Sequence, residues 1–309
     1  MKINLDVEYA WRFGNAWTAD ARMQAFMERW THIGGLIPAE RRPASWGLDP
    51  RLGDDVELAR KVNSKVFSWE LAERLGVGLN GSCLVHSLDE IRELDHNHAW
   101  LIKHPLGVSG RERVSMIGGE PAQAAQWKWL EDALREGPLV AEPKVEIEEE
   151  WSVHFAIGSD VEYLGSVGLL TDSHGQHRGH RLDIEAPKAA VELSLKVAEE
   201  LKEVGWKGPV SVDGFHGKIG QTSVFRPLSE INARVTFGRL AVELKRWVPT
   251  GNVIWWHPSA SRIRQESIVF ESLEQISPAS GPGFWRLPEE VDPAGRTQTL
   301  LVNEGSLGI

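Results

Sequence analysis

The chain has 309 residues, 41% hydrophobic and 25% charged, with a formal net charge of -10; that length suffices for one large core or two to three smaller ones. No stretch approaches the roughly 20 apolar residues of a membrane span, the acidic balance argues against a phosphate-backbone footprint, and the single cysteine, Cys83, excludes an internal disulfide. A cytoplasmic protein with neither a membrane nor a nucleic-acid partner is expected, and the opening MKINLDVEYAWRF lacks the basic segment and apolar run of a secretory signal.

The first sixty residues predict a short strand over 2–7, a helix over 20–31 and a Pro/Gly/Arg-rich connection over 34–53. One helix is predicted over 54–76, closed by Gly76 as its C-terminal cap. A strand over 82–86 then leads to a helix over 88–94, opened by Ser87 with Glu90 completing a capping box. Next come a strand AWLIKH, a glycine-rich loop PLGVSG, a strand RERVSMI, a helix QAAQWKWLEDALREG stopped by Gly137 and Pro138, and a strand LVAEPKV.

The second half predicts strands over 150–158 and 161–172, a polar Gly/His/Arg-rich turn over 172–181, and a long helix with Val191, Leu195, Ala198 and Leu201 on its apolar stripe. Two strands, GPVSVDGF and SVFRPLSEINAR, follow, joined by a turn HGKIGQ. A helix over 238–247 closes the readable part; beyond it lie only short strand candidates over 253–256 and 267–270. Of the fourteen tryptophans, most are read as core, Trp127 and Trp206 among them.

The strongest chemical constellation is Asp213, Glu230 and Asn232 on two adjacent strands. In EIN the two-residue period puts Glu230 and Asn232 on one face, so both can reach one ion. Two carboxylates and an amide oxygen suit a hard cation such as Mg2+ completed by phosphate oxygens; the alternative is a set of ordinary polar strand residues. Lys103 ends an apolar strand before the loop carrying Gly107, Ser109 and Gly110, whose backbone can bend over a ligand as a phosphate cradle or can simply connect a hairpin. In EPKV, the Pro143 carbonyl and the Val145 N–H can serve an adenine edge, and Glu150 can accept from ribose hydroxyls, although the acidic run there reads equally as a solvated loop. Lys65, taken alone, reads as a solvated helix residue. Asp95, His96 and His98, and His174, His177 and His180, fall in polar turns without cysteines and read as surface loops rather than zinc ligands. Cys83 reads as buried and inert, with no partner that would make it or Ser82 a nucleophile.

In this order the elements resemble the ATP-grasp superfamily, particularly its D-alanine:D-alanine ligase and carboxylate-amine ligase branches, over 62–244. The signals are Lys65, Lys103 before the glycine-rich loop, EPKV, Glu150 in EWSV, and Asp213 followed by SEINAR. The resemblance implies an α+β fold in which two α+β lobes clasp ATP behind a shortened N-terminal region. It divides the chain into that region (1–60), a first lobe (61–140), a second lobe with the metal site (141–248) and a C-terminal extension (249–309). It further implies that Lys65 and Lys103 contact ATP phosphates under the Gly107 to Gly110 loop. Glu142, Pro143 and Val145 would line the adenine slot, Glu150 would hold the ribose, and Asp213, Glu230 and Asn232 would hold two Mg2+ ions, with Mn2+ as a substitute.

The activity implied is ligation of small-molecule carboxylate and amine substrates through an acyl phosphate, with a homodimer among the expected states. A kinase-like member without ligation and a disabled ATP-binding regulator are the alternatives. Two departures stand out: Ser211 occupies the place where the D-alanine:D-alanine ligases carry an arginine, and the N-terminal region is shorter than usual. Another cation must then steady the transferring phosphoryl group. Arg234, Arg226 and Arg178 are the candidates, Arg234 foremost because alternation points it with Asn232.

Overall fold

The computed structural model describes residues 1–31, 33–107, 112–118, 120–121, 123–171 and 177–245, and the backbone of 253–256, 270–272, 283–286 and 298–303. Where the sequence predicts a strand over 2–7, only Lys2 bridges to another segment among the described residues, at Ser45. The Asn4 side chain knits this stretch to the following connection instead, accepting from Trp46 N at 3.0 Å and donating to Gly47 O at 3.0 Å. Helix α1 (Val7–Phe13) starts at once, because Val7, Ala10 and Trp11 fall on one helical face and are fully buried. Helix α2 (Ala21–Arg29) follows as predicted, capped by Asp20, which accepts from Met23 N at 2.7 Å.

The helix predicted over 54–76 is two helices, α3 (Glu57–Val62) and α4 (Lys65–Arg74). Asn63 breaks the run: its side chain accepts from Ala233 N at 2.8 Å and donates to Ala59 O at 2.8 Å, while Ser64 caps α4 by accepting from Val66 N. The break places Lys65 at the first residue of α4. Gly76, at φ +70, sits just past the end of α4 in a conformation that suits glycine.

The first sheet is antiparallel and contains β1 (Cys83–Val85), β2 (Ala99–Lys103), β3 (Arg113–Ile117), β4 (Glu120–Pro121) and β5 (Leu139–Pro143), in the order β1-β5-β2-β3-β4. The alternation of AWLIK and RVSMI turns Trp100, Ile102, Val114 and Met116 onto a core shared with Ile91 of α5 (Leu88–Arg92) and Leu130 and Ala133 of α6 (Ala124–Leu134). Leu101, Lys103, Arg113 and Glu142 are thereby left on the opposite face. Cys83 is half-buried rather than enclosed, and burial followed by the Glu90 charge pushes its thiol up.

The second sheet gathers β6 (Glu146–Ile157), β7 (Val161–Thr171), β8 (His177–Arg181), β9 (Gly208–Ile219), β10 (Thr222–Asn232), β11 (Val253–Trp256), β12 (Phe270–Ser272), β13 (Gly283–Arg286) and β14 (Gln298–Asn303), in the order β10-β9-β6-β7-β8-β11-β14-β13-β12. Helix α7 (Lys188–Glu203) packs on one face, burying Ala190, Ser194, Val197, Ala198 and Leu201. Those residues meet a core containing Trp151, Val153, Phe155, Val210 and Val212. The predicted stripe is corrected at Leu195, which is 42% exposed, because the buried face is centred on Ala190, Ser194 and Val197. Helix α8 (Phe237–Leu244) covers the other face of β7 together with Trp30, Ile33, Leu36 and Trp46 of the N-terminal segment.

Three further expectations are corrected. The acidic run 146–150 is the start of a strand, not a loop: it pairs with β9, and Lys218 meets Glu148 across the ladder. The turn predicted over 216–221 shrinks to Gly220, at φ +59, and Gln221, because both flanking strands run further. His177 and His180 lie in β8 rather than in a surface loop. His180 is 1% exposed, and His177 stacks on Phe237 with burial pushing its imidazole down to about 4. His174 lies outside the described residues. Among the described residues no helix is long and apolar enough to cross a membrane.

Candidate functional site

Strands β6, β9 and β10 are consecutive in the second sheet, and their registers build the site row by row. Ser152 faces Asp213 and Asp213 faces Glu230; one row on, His154 faces Ser211 and Ser211 faces Asn232. Glu230 reaches this row through a β-bulge between Arg226 and Glu230. Gly214 makes the bulge possible: a Cβ there would lie 2.8 Å from Arg226 O and 2.9 Å from Pro227 O.

A chain of hydrogen bonds runs along this face. Ser152 Oγ donates to Asp213 Oδ1 at 2.6 Å, Asn232 Nδ2 donates to Asp213 Oδ2 at 2.8 Å, and Arg234 Nη2 donates to Asn232 Oδ1 at 3.2 Å. Burial, aided by the nearby charges of Glu230 and Glu150, pushes the Asp213 carboxyl up to about 7 against the Ser152 hydrogen bond. Glu230 is held below its ordinary value: burial works against its charge, but Lys65 Nζ lies 2.6 Å from Oε1 and outweighs it. The same ammonium donates to Gly107 O at 2.8 Å, tying the start of the glycine-rich loop to the carboxylates.

The first sheet presents Lys103 to this face. Lys103 Nζ meets Glu142 Oε2, and Arg226 Nη2 of β10 meets Glu142 Oε1 at 2.6 Å, so one carboxylate joins the two sheets. Glu142 is 5% exposed; burial opposes its charge, but Lys103 and Arg226 hold its carboxyl down at about 2. Arg226 is 2% exposed, and its Nη1 makes no hydrogen bond among the described residues. Glu150, on the same face of β6 as Ser152, accepts from Thr171 Oγ1 at 3.1 Å, and burial pushes its carboxyl up.

The structure thus brings Lys65, Lys103, Gly107, Glu142, Glu150, Asp213, Arg226, Glu230, Asn232 and Arg234 together where the two sheets meet. Pro143 ends β5 opposite Trp100, and Val145 lies between β5 and β6, outside both ladders. Arg178 is exposed on β8, two strands from β6. Ser109 and Gly110 lie outside the described residues. Ser152 and Thr171 escaped the sequence reading. A signal for Ser152 existed, since it follows Glu150 at the interval that keeps both on one face. Among the described residues no group of three or more His, Cys, Asp or Glu is gathered as a metal cage. The hard donors present, two carboxylates and one amide oxygen, fit Mg2+ only in company with phosphate oxygens.

No protein-family model matches the sequence, and no curated protein matches it either. Solved structures do match. The biotin carboxylase domain of 2-oxoglutarate carboxylase from Hydrogenobacter thermophilus, in complex with MgADP, ADP and bicarbonate, has a TM-score of 0.53 at 14% identity, over 85% of this chain and 65% of that one. A β,γ-ATP complex of biotin carboxylase from Campylobacter jejuni has a TM-score of 0.50 at 14% identity, over 82% and 62%. N5-carboxyaminoimidazole synthetase from Staphylococcus aureus, complexed with ADP, has a TM-score of 0.46 at 12% identity, over 66% and 58%. The chain therefore spans less than two thirds of the length of each. The first two matches establish the fold, which is the ATP-grasp fold.

Proposed function

We propose that this protein is an ATP- and Mg2+-dependent ligase that activates a carboxylate as an acyl phosphate and joins it to an amine. The observation that supports the reading is the cross-strand row of Asp213 and Glu230, flanked by Asn232, with Lys65 on Glu230 and Lys103 on Glu142 of the first sheet, in an ATP-grasp fold. Lys65 and Lys103 are held by Glu230 and Glu142 and would exchange those partners for ATP phosphate oxygens under the loop of Gly107, Ser109 and Gly110. The Pro143 carbonyl at the last pair of the β2–β5 ladder and the Val145 N–H just beyond it would serve an adenine edge beside Glu142, and Leu101 and Ile117 add apolar surface on the same sheet face. Glu150 would take the ribose hydroxyls.

Asp213, Glu230 and Asn232 would hold Mg2+, two ions in this reading and Mn2+ in its place, which when bound neutralises charge on the phosphates. The remaining work belongs to positioned cations. Attack of the substrate carboxylate on the γ-phosphorus gives ADP and an acyl phosphate, and attack of the amine on that carbonyl expels phosphate. Arg234 beside Asn232, with Arg226 as the second candidate, would steady the phosphoryl oxygens as charge spreads, whereas Arg178, exposed on β8, stands apart from them. No side chain is required as a nucleophile.

The test is a screen of amino acids, dipeptides and amines for stimulated ADP release, with mass spectrometry of the products. The expected result is ADP release that needs a carboxylate and an amine together and yields their amide. ADP release with a phosphorylated product and no amine requirement would replace ligation by kinase chemistry.

A further inference from the structure

Helix α1 carries Glu8 and Arg12 one turn apart, on one stripe of its surface. Arg12 pairs with Glu112 at 3.1 Å and donates through Nε to Glu136 at 2.7 Å, both residues of the first sheet's unit. Glu8 pairs with Arg234 of the second, accepting from Nε at 2.9 Å and also from Nη2. The Glu8 and Arg234 side chains are 13% and 12% exposed, so solvent does little to weaken the pair.

The remaining donors of Arg234 are directed too: Nη1 to Val235 O at 3.1 Å and Nη2 to Asn232 Oδ1 at 3.2 Å. Its charge is felt at both Asp213 and Glu230, where it favours the ionised forms. A guanidinium is shaped for a carboxylate fork. Glu8 apart, the carboxylates that feel its charge include both of those assigned above to the metal.

We propose that Glu8 is a positioning residue for the metal and phosphate site: by engaging Nε and Nη2 of Arg234 it keeps the guanidinium off Asp213 and Glu230 and directs it to Asn232. The N-terminal segment is then part of the active centre, not only a cover for the second sheet. This inference rests on the metal site of the proposed function.

The test is Mn2+ binding to the full chain at saturating ATP, followed by electron paramagnetic resonance, in wild type, Glu8→Ala, Glu8→Gln, Arg234→Ala and the double variant Glu8→Ala with Arg234→Ala. Glu8→Ala should weaken Mn2+ binding by about tenfold or more, the range typical of residues that orient metal ligands. Glu8→Gln should weaken it less, and serves if Glu8→Ala does not fold. The double variant should return to within about twofold of Arg234→Ala, since the competing guanidinium is gone. A simple tether would lower the melting temperature of Glu8→Ala and leave Mn2+ affinity unchanged, which overturns the proposal; so does an equal loss in Glu8→Ala and the double variant. If wild-type protein with ATP takes up no Mn2+, the metal-site reading itself fails and this inference with it.

Discussion

Glu230→Gln is expected to keep the fold and to lower Mg2+-dependent ADP formation by on the order of 10²-fold or more. The substitution removes one of the two anionic ligands facing each other across β9 and β10 while preserving the side-chain shape. It also releases Lys65 from its 2.6 Å partner. That pair is partly open to solvent, so the folding cost should be about 1 kcal/mol or less. Circular dichroism melting and ADP release at limiting Mg2+ separate the two effects. Turnover at the wild-type level under limiting Mg2+ would remove Glu230 from the metal site.

Glu142→Ala should produce the largest loss of stability, about 3–5 kcal/mol, because it leaves Lys103 and the fully enclosed Arg226 without their shared anion. Urea unfolding measures this directly. The acid dependence has a definite sign. Glu142 is held at about 2 against an ordinary 4.5, so its contribution is fully present above pH 4.5 and is lost as pH falls from there towards 2. The variant lacks the titrating group and should show a shallower fall in stability over that window. An unchanged urea midpoint would mean that the ion pairs joining the two sheets contribute nothing to the fold.

Much of this arrangement was legible in the sequence, and the reasons differ from residue to residue. Alternation in AWLIK and in SEIN reports which residues share a sheet face, so Glu230 beside Asn232 followed from the two-residue period alone. Their juxtaposition with Asp213 also needed the bulge between Arg226 and Glu230, which alternation does not reveal. The break between α3 and α4 was hidden because the stretch around Asn63 keeps an apolar period, and the deciding hydrogen bond comes from Ala233 N, 170 residues away. The acidic start of β6 was misread because a solvated charge run looks alike in a loop and on an exposed strand; Lys218, opposite it, supplies the missing information. Glu8 carried no local signal at all, since its role depends on Arg234, 226 residues further along the chain.

Titration calorimetry of ATP with Mg2+ on folded protein, alongside Lys103→Ala, tests nucleotide binding at this site. The predicted result is saturable binding that weakens in Lys103→Ala and that releases a proton at pH 6. Proton release is expected because Asp213, raised to about 7, is largely protonated there and must ionise to serve as a ligand; affinity should therefore rise as pH is raised through 7. Absence of any binding at millimolar ATP with Mg2+ would contradict the assignment of this site.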